Sequence, residues 1–324
     1  MTFDQLESLA LSLREHPNVA EKLKIAAAYS PALGVAQKIA IGDDTAAIPD
    51  GDGFLLFAAE GMMEGFIELD PWFAGYSAVM VNLSDIAAMG GRPTALVDVL
   101  WTQEGSPVTA ELWAGMQAAS AAYGVPIVGG HTTRFAKGRT PLLAVSVVGR
   151  AKMLITSFDA KPGDVLLMAV DLRAAYRGEG TVFWNGSVGS PPERLQGDLA
   201  LLPALAEAGL VTAGKDISNG GVLGTLAMLL ATSEVGAVVH LNQMPTPPDV
   251  DLSRWLLSFP SYGYLLTATP ENASAVCEKF AARGLTCQIM GDITSGNLLE
   301  LAWGEHHLTF TEIDSSPAVA AVAL

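Results

Sequence analysis

Basic residues are scarce in this chain. It holds 18 Lys and Arg against 34 Asp and Glu, which gives a formal net charge of −16 at pH 7. Proteins that bind nucleic acids or anionic membranes non-specifically need a basic face, so this charge balance argues against both classes. The acid excess is compatible with a carboxylate site for a metal ion. It also favours solubility, since half of the residues are hydrophobic.

Cysteines and long apolar runs are also rare. Cys277 and Cys287 are the only cysteines, so no second pair could complete a zinc site, and we expect both thiols to be reduced. No run approaches the roughly 18–20 apolar residues of a membrane span. The first residues, MTFDQLESLALSLREHP, contain three acids and do not resemble a signal peptide. We therefore expect a cytoplasmic protein with no membrane partner.

The length predicts two domains, because 324 residues exceed what one hydrophobic core usually serves. A Lys-Pro-Gly-Asp turn near residue 162 is the candidate boundary. We expect an N-terminal helical segment over residues 1–30, a first domain over 31–152 and a second over 153–324. In the first half, strands outnumber helices and the first two leave no room for a crossover helix. This pattern favours an α+β fold over a doubly wound one.

Apolar periodicity predicts the individual elements. Helices are expected within residues 3–29, 72–89, 109–123 and 220–231. Strands are expected over residues 38–41, 53–59, 94–100, 126–128, 141–149 and 165–170. The segment 178–192 is rich in Gly, Pro and Ser, which predicts a long irregular loop and a candidate mobile lid.

The acids of the sequence IGDDTAAI (residues 41–48) follow a predicted strand. Adjacent carboxylates at Asp43 and Asp44 repel each other, and a divalent cation would remove that cost. Gly-Asp-Asp is also ordinary turn chemistry, so a solvated turn is the alternative.

A second acid lies in the helical sequence VNLSDIAAMGGRP (residues 81–93). Its apolar residues recur at steps of three and four, and the helix ends at Gly-Gly-x-Pro. Asn82 and Asp85 share another face. A carboxylate buried in so apolar a helix needs a cation or a hydrogen-bonding partner, whereas a solvent-facing edge needs neither.

Two glycine-containing motifs complete the set. In VGGHTT (residues 128–133), paired glycines would let a phosphate approach the backbone, although a turn between strands is the commoner explanation of such a pair taken alone. His131 alone is more often structural than a ligand. In KDISNGGV (residues 215–222), Asp, Ser and Asn precede an apolar helix, where they either cap it or help bind phosphate at its N-terminus.

Taken together, these motifs resemble one superfamily. IGDDTAAI, VNLSDIAAMGGRP, GGHTT, KPGDVLLMAV and DISNGG occur in the order found in the PurM-like, ATP-dependent group that includes AIR synthase, thiamine-monophosphate kinase, selenophosphate synthetase and the hydrogenase-maturation dehydratase. The resemblance covers residues from about 35 to about 300.

The resemblance implies a two-domain α+β protein: an N-terminal α/β domain that forms a homodimer through its sheet, and a C-terminal α/β sandwich domain. It places ATP in a cleft between the domains and Mg²⁺ on acids from several motifs. The implied metal ligands are Asp43, Asp44, Asp85, Asp216 and Glu60. The implied nucleotide-binding residues are Gly129, Gly130, His131, Thr132, Asn82, Ser218, Asn219 and Gly220.

Departures from known members leave the reaction open. Glu60 stands where the family usually has Asp, and the signatures by which each member recognises its substrate are absent. The chain is therefore similar to the divergent AIR synthase-related proteins. We expect an ATP- and Mg²⁺-dependent enzyme that phosphorylates, or activates through phosphate, a small-molecule oxygen nucleophile. The alternative is an ATP-binding regulatory subunit or pseudoenzyme that acts through a protein partner.

Overall fold

The structure is a computed structural model that describes residues 1–24, 42–135 and 140–314. The chain divides into two compact units, each with its own large sheet. Of the described residues, 45–135, 140–154 and 187–204 form the five-stranded unit, and 1–24, 42–44, 155–186 and 205–314 form the seven-stranded unit. The strand predicted over 38–41 lies outside the described residues.

The five-stranded unit has a mixed sheet with the strand order β1-β2-β5-β3-β4. Only the β3–β4 pair among these strands is parallel. The strands are β1 (Ala46–Asp50), β2 (Gly53–Gly61), β3 (Arg92–Thr102), β4 (Ile127–Arg134) and β5 (Leu142–Ala151). The helices are α3 (Glu64–Leu69), α4 (Pro71–Ala88), α5 (Pro107–Tyr123) and α6 (Pro192–Leu199). The hairpin that joins β1 to β2 leaves no place for a crossover helix, so the predicted α+β class is confirmed.

Helix α4 is the central helix of this unit, and 14 of its 18 residues are buried. It packs against strands β2, β3 and β5 of the sheet and against helix α5. A side chain at Gly75 would collide with the backbone of Leu112, and one at Gly115 would collide with the backbone of Trp72. The two helices therefore approach each other closely because both carry glycine at the crossing.

The seven-stranded unit has the strand order β15-β14-β10-β13-β6-β12-β9. These strands are β6 (Val165–Val170), β9 (Ala213–Asp216), β10 (Gly236–His240), β12 (Gly263–Ala268), β13 (Thr286–Thr294), β14 (Leu298–Trp303) and β15 (His306–Glu312). A second sheet contains β7 (Ala175–Tyr176), β8 (Phe183–Asn185) and β11 (Phe259–Pro260). The helices are α1 (Phe3–Glu15), α2 (Pro17–Lys22), α8 (Gly221–Ser233), α9 (Leu252–Leu256) and α10 (Pro270–Ala281), and α7 (Leu201–Glu207) crosses the boundary between the units along the chain.

The segment 178–192 is mostly irregular, as expected, but it contains the three-residue strand β8, which pairs with β7 and β11. One expected boundary is wrong. The strand expected to end at residue 128 continues to Arg134, because its parallel pairing with β3 runs through the Gly-Gly-His-Thr motif. Among the described helices, none has the length and apolar character needed to cross a bilayer.

Candidate functional site

Asp43 and Asp44 form a buried cluster with Lys215 in the seven-stranded unit. The Nζ atom of Lys215 donates a hydrogen bond to Oδ1 of Asp44 and lies 3.8 Å from Oδ1 of Asp43. Oδ2 of Asp43 accepts a hydrogen bond of 2.7 Å from the backbone N–H of Ser157. The exposed fractions of the three charged side chains are only 5%, 1% and 6% for Lys215, Asp43 and Asp44. The sequence did not single out Lys215, because nothing in its local pattern shows which acids it meets.

The pKa values of this cluster follow from its burial and its charges. The pKa of Asp43 is raised to about 6, mainly by burial and also by the charge of Asp44, while the Lys215 ammonium opposes the shift. Burial alone would lower the pKa of Lys215, but the carboxylates of Asp44 and Asp43 outweigh it and raise that pKa above its ordinary value. Lys215 therefore stays protonated and compensates part of the negative charge of the aspartate pair.

Asp216 ends strand β9 directly after Lys215. Its backbone N–H donates to Oδ2 of Asp44 at 3.4 Å. The end of β9 therefore contacts Asp44 twice, through the Lys215 side chain and through the Asp216 main chain. Farther along, the backbone N–H of Ser218 donates to Oγ1 of Thr225 at 3.1 Å. The Ser218 Oγ atom is buried and has no partner among the described residues. A buried hydroxyl without a partner is costly, so it is a candidate contact for a ligand.

Helix α2 contacts the same loop. The side-chain amide of Asn18 donates to the backbone oxygen of Asn219 at 3.1 Å. A side chain at Gly220 would lie 2.7 Å from Cγ of Lys22, so glycine is needed where the helix approaches. The N-terminal segment therefore holds the DISNGG loop in place at the start of α8.

The other two predicted metal ligands lie in the five-stranded unit. Asp85 is buried on α4, and Glu60 is exposed near the end of β2. Asn82, predicted to bind nucleotide, is fully buried on α4 and donates its amide N–H to the backbone oxygen of Ala78 at 2.8 Å. In the described ranges no group of three or more His, Cys, Asp or Glu side chains is arranged to hold a metal ion.

The chemistry of the aspartate pair fits Mg²⁺, which prefers carboxylate oxygens. The ammonium of Lys215 already contacts both carboxylates. Lys215 and a cation bound by Asp43 and Asp44 would therefore compete for the same oxygens.

The Gly-Gly-His-Thr motif lies on the β4 edge of the five-stranded sheet. Gly129, Gly130, His131 and Thr132 are all exposed. Gly130 is paired with Asp98 of the neighbouring strand β3. Asp98 is only 3% exposed, and the sequence prediction missed it. The sequence does contain a sign of this residue. Asp98 lies between Leu96 and Leu100 at alternating positions of β3, so its side chain belongs to the inward row, the buried face of that strand.

A cavity of about 610 Å³ opens beside this motif, within the five-stranded unit. Its lining includes the motif itself, Asp98 from β3 and side chains from α5, among them Trp113, Gln117 and Ser120. Burial raises the pKa of Asp98 above its ordinary value, and its own backbone N–H opposes the shift. A buried carboxyl with a perturbed pKa in a cavity is a frequent mark of a functional site.

Two families match the chain, one for each half. The family described as "AIR synthase related protein, N-terminal domain" matches residues 42–151, and its C-terminal counterpart matches residues 180–304. An uncharacterized protein of Synechocystis sp. is 46% identical over 285 residues, which cover 88% of each chain. The phosphoribosylformylglycinamidine synthase subunit PurL of Thermotoga maritima is 28% identical over 229 residues, 65% of this chain and 37% of PurL.

Solved structures show the same fold. Thermotoga maritima PurL complexed with ATP has a TM-score of 0.71 at 22% identity, and the match covers 98% of this chain and 53% of that chain. A ThiL complexed with AMPPCP and TMP has a TM-score of 0.64 at 18% identity, covering 83% of this chain and 91% of that one. This chain spans about half the length of PurL. Its motifs, its two matched domains and its fold agree: the chain belongs to the AIR synthase-related, PurM-like superfamily.

Proposed function

We propose that this chain is a Mg²⁺-dependent, ATP-using enzyme that transfers the γ-phosphate to, or activates by phosphorylation, a small molecule with an oxygen nucleophile. The observation that carries the proposal is the buried cluster of Asp43, Asp44 and Lys215, to which the backbone N–H of Asp216 is hydrogen-bonded. The alternative interpretation treats these motifs as ordinary turns and helix caps. Turns and caps do not normally bury two carboxylates and an ammonium group together. Relatives whose structures contain ATP or AMPPCP support the choice of nucleotide.

The proposed roles follow from the needs of phosphoryl transfer, which are mainly positioning and charge neutralisation. Asp43, Asp44 and Asp216, with Asp85 and Glu60, are the proposed metal ligands. When bound, Mg²⁺ would neutralise charge on the phosphates. The proposed nucleotide contacts are the backbone of Gly129 and Gly130, the side chains of His131, Thr132, Asn82 and Ser218, and the segment at Asn219 and Gly220.

Lys215 has a positioning role in this proposal. It holds the two adjacent carboxylates together, which would otherwise repel each other in a buried place. The backbone N–H groups of Ser157 and Asp216 fix one oxygen of each carboxylate. The pair is therefore preorganised, so binding a cation requires the loss of the Lys215 contacts and no large rearrangement of the acids.

The proposed assembly is a homodimer formed through the five-stranded sheet. Phe57, Val97, Trp101 and Leu142 are all exposed. Their strand pairings, in which Trp101 lies opposite Leu142, place them on the sheet face opposite the buried row of Leu96 and Leu100. An exposed apolar face on a sheet is typical of an interaction surface, and a second copy of the sheet would cover it.

Equilibrium binding of MgATP tests the enzyme proposal. Asp44→Asn and Asp216→Asn should each weaken the affinity by about tenfold or more, since each removes a charge that helps to hold the metal. Asp52→Asn is the matched control, because Asp52 is exposed in the turn between β1 and β2. A wild-type protein without affinity for MgATP, or variants with unchanged affinity, would contradict the proposal.

A nucleotide-binding regulatory subunit is the second candidate. The observation that favours it is that the acids of the proposed metal site are already compensated by Lys215 and backbone N–H groups. Steady-state release of ADP with a panel of hydroxylated, phosphorylated and amide acceptors distinguishes the two. Tight binding of ATP with no turnover on any acceptor favours the regulatory role, and turnover on one acceptor establishes the enzyme.

A further inference from the structure

Asp98 is a buried acid that forms no ion pair within the part of the chain that the structure describes. It lies in the inward row of β3, where its neighbours Leu96 and Leu100 are 1% and 0% exposed. Its Oδ1 atom is buried and has no hydrogen-bond partner among the described residues. A carboxylate in such a place costs free energy unless something compensates it. The cavity described above is the space from which a compensating group can reach it.

Gly130 makes room for this carboxylate. A Cβ atom at position 130 would lie 2.7 Å from Cγ of Asp98 and still closer to its Oδ1 atom. The glycine is therefore required by space, since its φ angle is not among the positive ones. Because the carboxylate covers this face of Gly130, an anion approaching the same face would be repelled. The nucleotide contacts proposed above for this motif would therefore be made along the outer edge of β4, which is an edge strand, and not from inside the cavity. The chemistry of the cavity favours a cation or a hydrogen-bond donor there.

The remaining lining suits a small organic molecule with a flat apolar part. Trp113 offers an indole ring, and Ala121, Pro126 and Ile127 add apolar surface. Gln117 offers an amide, whereas the hydroxyl of Ser120 already donates to the backbone oxygen of Val125 at 2.7 Å. The described lining contains no Lys or Arg, and its one basic side chain is His131. A volume of about 610 Å³ accommodates a ligand of metabolite size.

We propose that this cavity binds the acceptor and that Asp98 pairs with a protonated amine or amidine group of that molecule, while its flat part lies against Trp113. The identification of the bound molecule as the acceptor rests on the proposed function. The affinity of the cavity for an amine or amidine cation does not.

Small aromatic probes of different charge test the cavity, and three of them have the same shape. Benzamidine and 2-phenylethylamine are the cationic probes, benzamide is the neutral one and benzoate is the anion. Calorimetry or ligand-observed NMR should show saturable binding of both cations, at least about tenfold tighter than benzamide, and no binding of benzoate. Absence of saturable cation binding, or benzoate binding as tight as benzamidine, overturns the proposal.

Two variants separate the carboxylate from the ring. Asp98→Asn keeps the shape of the side chain and should bring benzamidine down to the affinity of benzamide, a loss of about tenfold or more. Trp113→Leu should weaken benzamidine and benzamide by a similar factor, because it removes the ring surface and leaves the carboxylate. Unchanged charge preference in a folded Asp98→Asn protein overturns the proposal, with Asp52→Asn as the control for the loss of one negative charge.

The two proposals fail separately. The probe titrations contain no nucleotide, and MgATP binding to the wild-type protein is measured without the probes. A wild-type protein that binds MgATP and no cationic probe contradicts the assignment of Asp98 alone. A protein that binds the cationic probes and no MgATP contradicts the proposed function and leaves a site for an organic cation.

Discussion

Lys215 and Asp44 form a hydrogen-bonded ion pair that is almost completely buried, with Asp43 beside it. Removing one partner of a buried pair leaves an uncompensated charge, which usually costs more than the pair itself contributes. Here the ammonium faces two carboxylates, so its loss leaves two adjacent acids in a place with little water. The cluster therefore depends on a cation, either the ammonium of Lys215 or a metal ion.

Lys215→Met should consequently destabilise the protein by about 3 kcal/mol or more in urea unfolding. Mg²⁺ or Mn²⁺ should raise the stability of this variant more than that of the wild type, because the ion replaces the missing charge. Lys152→Met is the control, since Lys152 is exposed. Equal stability of Lys215→Met and wild type would show that the buried pair contributes nothing.

Asp98→Asn should stabilise the protein, and the gain should depend on pH. Burial raises the pKa of Asp98 in the folded state, so the folded protein binds this proton more tightly than the unfolded chain does. The penalty of the carboxylate is therefore absent at low pH, grows as the pH rises above the ordinary value of about 3.9, and is complete above the raised pKa.

The expected gain is about 1–3 kcal/mol near neutral pH, because an unpaired buried carboxylate costs more than the neutral amide that replaces it. Urea unfolding of wild type and Asp98→Asn at a series of pH values measures it. A gain that is constant with pH, or that is largest in acid, contradicts this account of Asp98.

The sequence predicts an element correctly where its local residue pattern favours the same structure that its packing and pairing in the fold require. The apolar repeat and the Gly-Gly-x-Pro stop place a helix over residues 72–89, and α4 runs from Pro71 to Ala88. The extent of β4 could not be predicted in this way, because Gly129 and Gly130 disfavour a strand locally and only their pairing with β3 keeps them in one.

The residues of the candidate site likewise divide into those with a local sequence signal and those brought in by long-range contacts. Asp43, Asp44 and Asp216 belong to motifs that the sequence displays, and the structure brings them together. Lys215 precedes one of these acids in the chain, but its contact with Asp44 spans 171 residues and has no local signature. Asp98 could have been found, because a single acid in the inward row of an apolar strand is unusual.

Trp101→Asp should convert a homodimer into a monomer. Trp101 lies opposite Leu142 on the exposed apolar face of the five-stranded sheet, and a charge there would have to be buried by the second copy. Sedimentation velocity or light scattering measures the mass. Leu69→Asp is the control, because Leu69 is exposed at the end of α3 and does not belong to this face. A wild type that is monomeric at all concentrations contradicts the proposed dimer.

Cys277 should be the more reactive of the two thiols. Both cysteines are free, with Cys277 on α10 and Cys287 on β13. A hydrogen bond from the Cys287 thiol lowers the pKa of Cys277 to about 7, and the same contact, together with burial, raises the pKa of Cys287. The thiolate of Cys277 therefore forms as the pH rises through about 7, where Cys287 is still protonated.

Alkylation by iodoacetamide, followed by peptide mass spectrometry, should show half-maximal modification of Cys277 near that pH. Cys287→Ala removes the donor, so the pH profile of Cys277 should move upward toward the ordinary thiol value of about 8.5. The rate at neutral pH should fall accordingly, because a smaller fraction of Cys277 is then thiolate. An unchanged profile in a folded Cys287→Ala protein would show that the neighbouring thiol does not stabilise the Cys277 thiolate.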